Sequence, residues 1–217
     1  MRKPVKGALV AAAALAAVAG MTLAPTTATA GTQSASSGLL AGWTASPGGP
    51  WTAKATSPKL TDTKTGTKLT CTSSSAAGTL ATSSATGAGI SSITSVSWSS
   101  CSGPLGITFS VTPQGLPWSL NAVSYNSTTG VTTGTLTGVK AHISGAGCTA
   151  DFQGPTAGST ATLTGSYSNS TNTLTISGGD LRAYNVSGSC LGLLNNNDPA
   201  VYNAAYVLSA PQVITSP

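Results

Sequence analysis

Hydrophobic and polar positions alternate along this chain in short runs, separated by clusters of Gly, Ser, Thr, Asn and Pro. A period of two marks β-strands, whose successive side chains point to opposite faces of a sheet. The clearest pair covers 118–125 and 131–143, joined by Asn126-Ser127-Thr128-Thr129-Gly130, a loop of hairpin length whose Asn and Gly tolerate left-handed backbone angles. Further strands are predicted over 51–56, 68–73, 78–82, 90–100, 107–112, 148–153, 161–168, 172–177, 181–187 and 201–209. Strict alternation puts Val131, Thr133, Thr135, Thr137, Val139, Ala141 and Ile143 on one face, with Gly134, Gly138, Lys140 and His142 on the other. By the same rule Ile93 shares a face with Ser95, Ser97 and Ser99, opposite Thr94, Val96, Trp98 and Ser100. Only 191–194 is expected to form a helical turn, ahead of the turn formers Asn195-Asn196-Asn197-Asp198-Pro199. The expected fold is all-β, an antiparallel sandwich or barrel, with Trp98, Leu120, Leu136, Leu163 and Ile176 in its core.

The N-terminus breaks the pattern. Arg2, Lys3 and Lys6 precede an apolar run over 8–24, and Ala28-Thr29-Ala30 offers a small-residue cleavage pattern before Gly31. Residues 1–30 therefore read as a secretory signal peptide, 31–42 as a flexible Ser/Gly-rich arm, and 43–217 as the all-β domain. No later stretch is apolar for long enough to span a bilayer as a helix. From Gly31 onward six basic residues (Lys54, Lys59, Lys64, Lys68, Lys140, Arg182) face four aspartates and no Glu, a net charge of +2 from six minus four. Four of the six lie within 54–68 without interleaved aromatics, which argues against a nucleic-acid partner.

Four cysteines in an exported chain point to two disulfides, and no pair has the short spacing of a zinc site. Three connectivities are open. A weak internal repeat relates 50–55 to 117–122, 62–66 to 126–130 and Cys71-Thr72 to Cys148-Thr149, dividing the domain into 43–115 and 116–217. A glycine also follows two residues after each closing cysteine, Gly103 after Cys101 and Gly192 after Cys190. The repeat favours pairing Cys71 with Cys101 and Cys148 with Cys190.

Groups for catalysis are few. His142 is the single histidine; a Ser-His-Asp arrangement would need it as base, with Asp151 or Asp180 orienting it and a serine that no spacing singles out. Gly188-Ser189-Cys190-Leu191-Gly192 has the glycines of a nucleophile elbow but lacks the strand-turn-helix setting, and a disulfide would remove the thiolate. The four scattered aspartates do not make a glycosidase pair. Asn195–Asp198 is rich in oxygen, yet one carboxylate suits a turn or cap better than calcium. No cofactor or metal is called for. Repeated Thr-x-Thr (Thr70/Thr72, Thr133/Thr135/Thr137, Thr162/Thr164, Thr173/Thr175) would form a hydroxyl array if the copies stacked. Trp43, Trp51, Trp118, Tyr184, Tyr202 and Tyr206 are the binding candidates, because aromatics with a polar handle are common at recognition surfaces.

Pro117-Trp118, Cys148, Cys190 and Gly192, with the Ala-rich leader and Thr/Ser/Gly-rich strands, resemble small exported all-β proteins of actinobacteria whose function is unassigned. The resemblance implies export and a disulfide-bonded β fold, and brings no catalytic residues. Streptomyces-type subtilisin inhibitors and neocarzinostatin-like carriers share export and two disulfides, but no reactive-loop or chromophore-site motif carries across. The expected function is a secreted, extracellular or cell-wall-associated protein with a non-catalytic binding or surface role. An apolar small molecule, a cell-wall glycan or a protein would be its partner; a secreted hydrolase or a protein inhibitor is the alternative.

Overall fold

The computed structural model describes residues 42–145 and 147–216. The expected signal peptide and nearly all of the arm lie outside them. The strands are β1 (Trp43–Ser46), β2 (Gly49–Thr56), β3 (Lys59–Asp62), β4 (Lys68–Leu80), β5 (Ser83–Ser84), β6 (Ser91–Ser102), β7 (Thr108–Gln114) and β8 (Trp118–Asn126). They continue as β9 (Val131–Gly145), β10 (Cys148–Gln153), β11 (Ala161–Ser168), β12 (Thr173–Gly179), β13 (Arg182–Gly188), β14 (Ala200–Leu208) and β15 (Val213–Thr215). All pairing among them is antiparallel.

Twelve of the fifteen strands among the described residues close into a barrel. β4, β6, β9 and β14 each run the height of the wall. The other four positions are filled by broken strands, β2 with β3, β7 with β8, β11 with β10, and β12 with β13. Each position pairs with the next in chain order, and β14 returns to β2 and β3, so the wall is an eight-stranded up-and-down barrel. β13 meets the start of β14 through an Arg182–Pro199 bridge and the Ala183 N–H to Asp198 carbonyl bond of 2.9 Å. The breaks fall where the backbone leaves the β region or loses a donor: Ser57-Pro58, Gly115-Leu116-Pro117, the excursion at 154–160, and Gly179-Asp180. The boundary at 115/116 lies inside one of these breaks, and the segments on both sides build the same ring.

Large and small side chains share the interior. Trp51, Trp118, Leu136, Phe152, Leu163 and Ile176 fill it, while Ala53, Ala55, Ala76, Ala150, Ala161 and Ala183 make room. Leu136, Leu163 and Ile176 are buried as expected; Trp98 and Leu120 are half-buried and pack against them. The outward face carries mostly Ser, Thr and Lys, with Val123 and Val207 as isolated exposed apolar residues. A lipid-embedded barrel has the opposite arrangement, with an apolar band outside. No helix of the described residues is long and apolar enough to cross a membrane.

Strict alternation fails where the wall bulges. On β9 the buried residues are Thr132 and Leu136, then Val139 and Ile143, because Gly138 at φ +85° inserts an extra residue opposite the Ala161/Thr162 step. The expected grouping of Val131 through Ile143 on one face is corrected accordingly. On β6, Ile93 and Val96 both face inward, since the register shifts between Ala77 and Gly78. The predicted helical turn at 191–194 is a plain turn; the 3-10 turn is at Pro104–Gly106. In the hairpin loop, Asn126 accepts the N–H groups of Thr128 and Thr129 on its side chain, at 3.0 and 3.1 Å, and Gly130 alone takes the left-handed angle.

The barrel ends differ. β15, β1 and β5 form a separate three-stranded sheet that closes one end, burying Trp43, Ala45 and Ile214. Asn169 holds that cap by bonding both the N–H and the carbonyl of Ile214, each at 2.9 Å. The other end is covered by the loops 63–67, 103–107 and 189–199 and carries both disulfides, Cys71–Cys101 and Cys148–Cys190, the pairing anticipated from the repeat.

Candidate functional site

Exposed apolar side chains also occur at Val123, Val207 and Val213, but among the described residues only the loop end joins such exposure to a left-handed backbone. Leu105 is 90% exposed and Leu191 60% exposed, and both hold left-handed backbone angles, φ +58° and +55°. That conformation crowds a Cβ against the backbone and is uncommon for bulky residues. Each leucine follows a disulfide, Leu105 four residues after Cys101 and Leu191 directly after Cys190, so both loops are pinned at their base. Beneath them lies an apolar cavity lined by Leu60, Leu69, Ile107, Phe109, Leu193 and Leu194.

The long loop is tied down elsewhere too. Asp198 accepts the N–H and side-chain amide of Asn195 at 2.8 and 2.9 Å and the Lys64 ammonium at 3.0 Å. Burial would raise its pKa, but these donors and the Lys64 charge hold it below the ordinary carboxylate value. The Thr65 hydroxyl donates to the Leu193 carbonyl at 2.9 Å, and the Tyr184 hydroxyl donates to Pro155 and Asn197. Asn195–Asp198 thus acts as the turn and cap its composition suggested, holding the loop in place.

His142 and Asp151 meet on the outer wall. Their strands pair directly, and the imidazole Nδ1–H donates to the Asp151 carboxylate at 2.7 Å. Asn185, at φ +52°, donates to the other carboxylate oxygen at 2.7 Å. Burial pushes the Asp151 pKa upward, yet the Asn185 and His142 hydrogen bonds and the His142 and Lys140 charges leave it lowered. A histidine oriented by a carboxylate is half of a triad. Asp180 is engaged elsewhere, accepting the Thr162 N–H at 2.7 Å. Among the described residues the imidazole makes no second hydrogen bond, and the cross-strand neighbour on its other side is Thr112, not a serine.

Most of the aromatic candidates lie in the interior. Trp43, Trp51, Trp118 and Tyr206 are buried, Tyr202 is half-buried, and Tyr184 sits on the outer wall beneath the long loop. Their polar atoms are bonded within the protein: Trp51 to Ser91 at 2.9 Å, Trp118 to the Gln114 carbonyl at 2.9 Å, and Trp98 to Tyr202 at 2.9 Å. Tyr202 and Tyr206 share a hydrogen bond of 2.8 Å that continues to Ser74, and burial raises both phenol pKa values.

Two of the threonine copies stack, Thr135 beside Thr164 and Thr137 beside Thr162, while Thr70, Thr173 and Thr175 face other residues. Their hydroxyls, however, serve the wall: Asn121 bonds Thr135 and Thr137, Thr133 bonds Ser124, and Thr164 bonds the Ser177 carbonyl. Leu105 and the exposure of Leu191 were not among the sequence-based expectations. A signal existed in Gly103-Pro104-Leu105-Gly106 and Cys190-Leu191-Gly192, where a lone apolar residue stands among turn formers just after a cysteine. No family model, curated protein or solved structure matches the chain.

Proposed function

We propose that this is an exported, non-catalytic binding protein that meets an apolar or amphiphilic partner at its loop end. The carrying observation is the pair of exposed, left-handed leucines over an apolar cavity. Exposed apolar groups on pinned loops bind with little ordering cost, since their geometry is set beforehand. The interior itself is a core rather than a ligand chamber. Its cavities are each about 70 Å³, below the roughly 150 Å³ that admits a benzene and the about 300 Å³ and more of small-molecule sites. Export rests on the leader and is supported by the two disulfides, which suit an oxidising compartment.

Catalysis at His142 is the second reading, favoured by the Asp151 and Asn185 hydrogen bonds that orient the ring. It lacks a nucleophile in hydrogen-bond contact with the ring, and none of the three apolar cavities is lined by His142. One experiment weighs both. Titration with the fluorescent apolar anion 8-anilinonaphthalene-1-sulfonate should show saturable binding that weakens about tenfold in Leu105→Ser/Leu191→Ser, the loss of roughly one leucine's burial. Unchanged binding in that variant overturns the loop-end reading. Turnover of ester, peptide or glycan substrates that disappears in a folded His142→Ala variant overturns the non-catalytic one.

A further inference from the structure

Charge at the loop end narrows the partner. Lys64 has a side chain 65% exposed and Lys68 is exposed, beside the loop that carries Leu191 and at the edge of the apolar cavity. The acids at this end are withdrawn from solvent, Asp62 at 4% and Asp198 at 1% exposure. What faces outward is therefore two apolar tips with Lys68 beside them, Lys64 being paired with Asp198. The tips stand on separate loops, β6 to β7 and β13 to β14, and the cavity that the two loops share, about 70 Å³, is too small to hold one ligand against both. Two separated apolar points backed by positive charge match a continuous apolar medium under a layer of anions.

We infer that the loop end docks end-on to the surface of an anionic lipid bilayer, with Leu105 and Leu191 among the acyl chains and Lys68 against head-group phosphates. The hydroxyl-covered wall stays in water, so attachment is peripheral and reversible. This inference rests on the loop-end reading above and adds the identity of the partner. The left-handed leucines fit it, because insertion offsets both their exposure and their backbone cost.

Every strand of the described residues lies between Trp43 and Thr215, so the chain from Gly31 carries that fold without the apolar leader, which would itself associate with lipid. That protein is mixed with phosphatidylcholine vesicles, alone or containing one-quarter phosphatidylglycerol, and the bound fraction is measured by flotation. Binding to the anionic vesicles is expected, with little to neutral ones. Leu105→Ser/Leu191→Ser should weaken it on the order of a hundredfold and Lys68→Gln about fivefold, with circular dichroism and melting temperature unchanged. Salt at 0.5 M should weaken it too, by screening Lys68. Equal binding to neutral vesicles, or insensitivity to the leucine substitutions, overturns the inference. So does a dimer in sedimentation that the leucine substitutions abolish, which would make a second copy the partner. Monomeric dodecylphosphocholine separates the two levels: leucine-dependent binding of the monomer without binding to vesicles sinks the bilayer and keeps the loop-end reading, whereas binding of neither removes both.

Discussion

A carboxylate at 1% exposure costs free energy unless donors surround it, and Asp198 has three from Asn195 and Lys64. The lysine itself is mostly in solvent, so its share is small and the Asn195 bonds carry more. Because the folded pKa lies below the ordinary carboxylate value of 3.8, the stabilisation is present above about pH 4 and is lost as pH falls through the lowered folded value. Asp151 is shifted the same way and adds to the same acid-side loss. Urea denaturation should therefore show stability level above pH 5 and falling below pH 4. Asp198→Asn should flatten that fall and cost about 1 to 3 kcal/mol at pH 7, since one acceptor is replaced by a donor facing donors. A variant as acid-sensitive as the parent would show that Asp198 is not the cause.

Within single elements, the two-residue period was legible wherever a strand ran straight. It slipped at Gly138 and near Thr94, where an inserted residue reverses the faces beyond it, and a bulge is chosen by the neighbouring strand rather than by local pattern. The disulfide pairing was readable from the repeated cysteine order. His142 with Asp151 was one of two options, and the hairpin register that sets Gly145 against Cys148 decides it. The exposure of Leu105 and Leu191 was not legible, because exposure belongs to the folded surface, not to residue type. The glycines allow a contrast. A Cβ on Gly138 meets nothing closer than 3.8 Å, so Gly138→Ala should cost only its left-handed backbone, about 1 to 2 kcal/mol. A Cβ on Gly78 would run into the Ser92 backbone and the Trp51 ring, so Gly78→Ala should cost clearly more by chemical denaturation. Equal costs would mean that the wall yields at Gly78.

For the molecule as a whole, closure joins strands about 150 residues apart, β2 and β14, and no local pattern announces such a contact. The disulfides act against the large entropy of so long a chain. Removing the Cys148–Cys190 bridge, with its sequence separation of 42, should cost about 4 kcal/mol in the chain-entropy model. Hydrogen exchange of a Cys148→Ser/Cys190→Ser variant should rise most over 189–199, with the β1, β5 and β15 cap little changed. Uniform acceleration would place the bridge's effect on global unfolding alone. The cap also settles a matter of orientation. Thr44 pairs with Thr215, so both ends of the described chain leave the barrel side by side, opposite the two leucines. A tether or fusion at either end would hold the leucines outward, away from its attachment. A short linker from 216 back to 43 would produce a circular chain in which a new opening could be cut at the 127–130 turn without disturbing the ring.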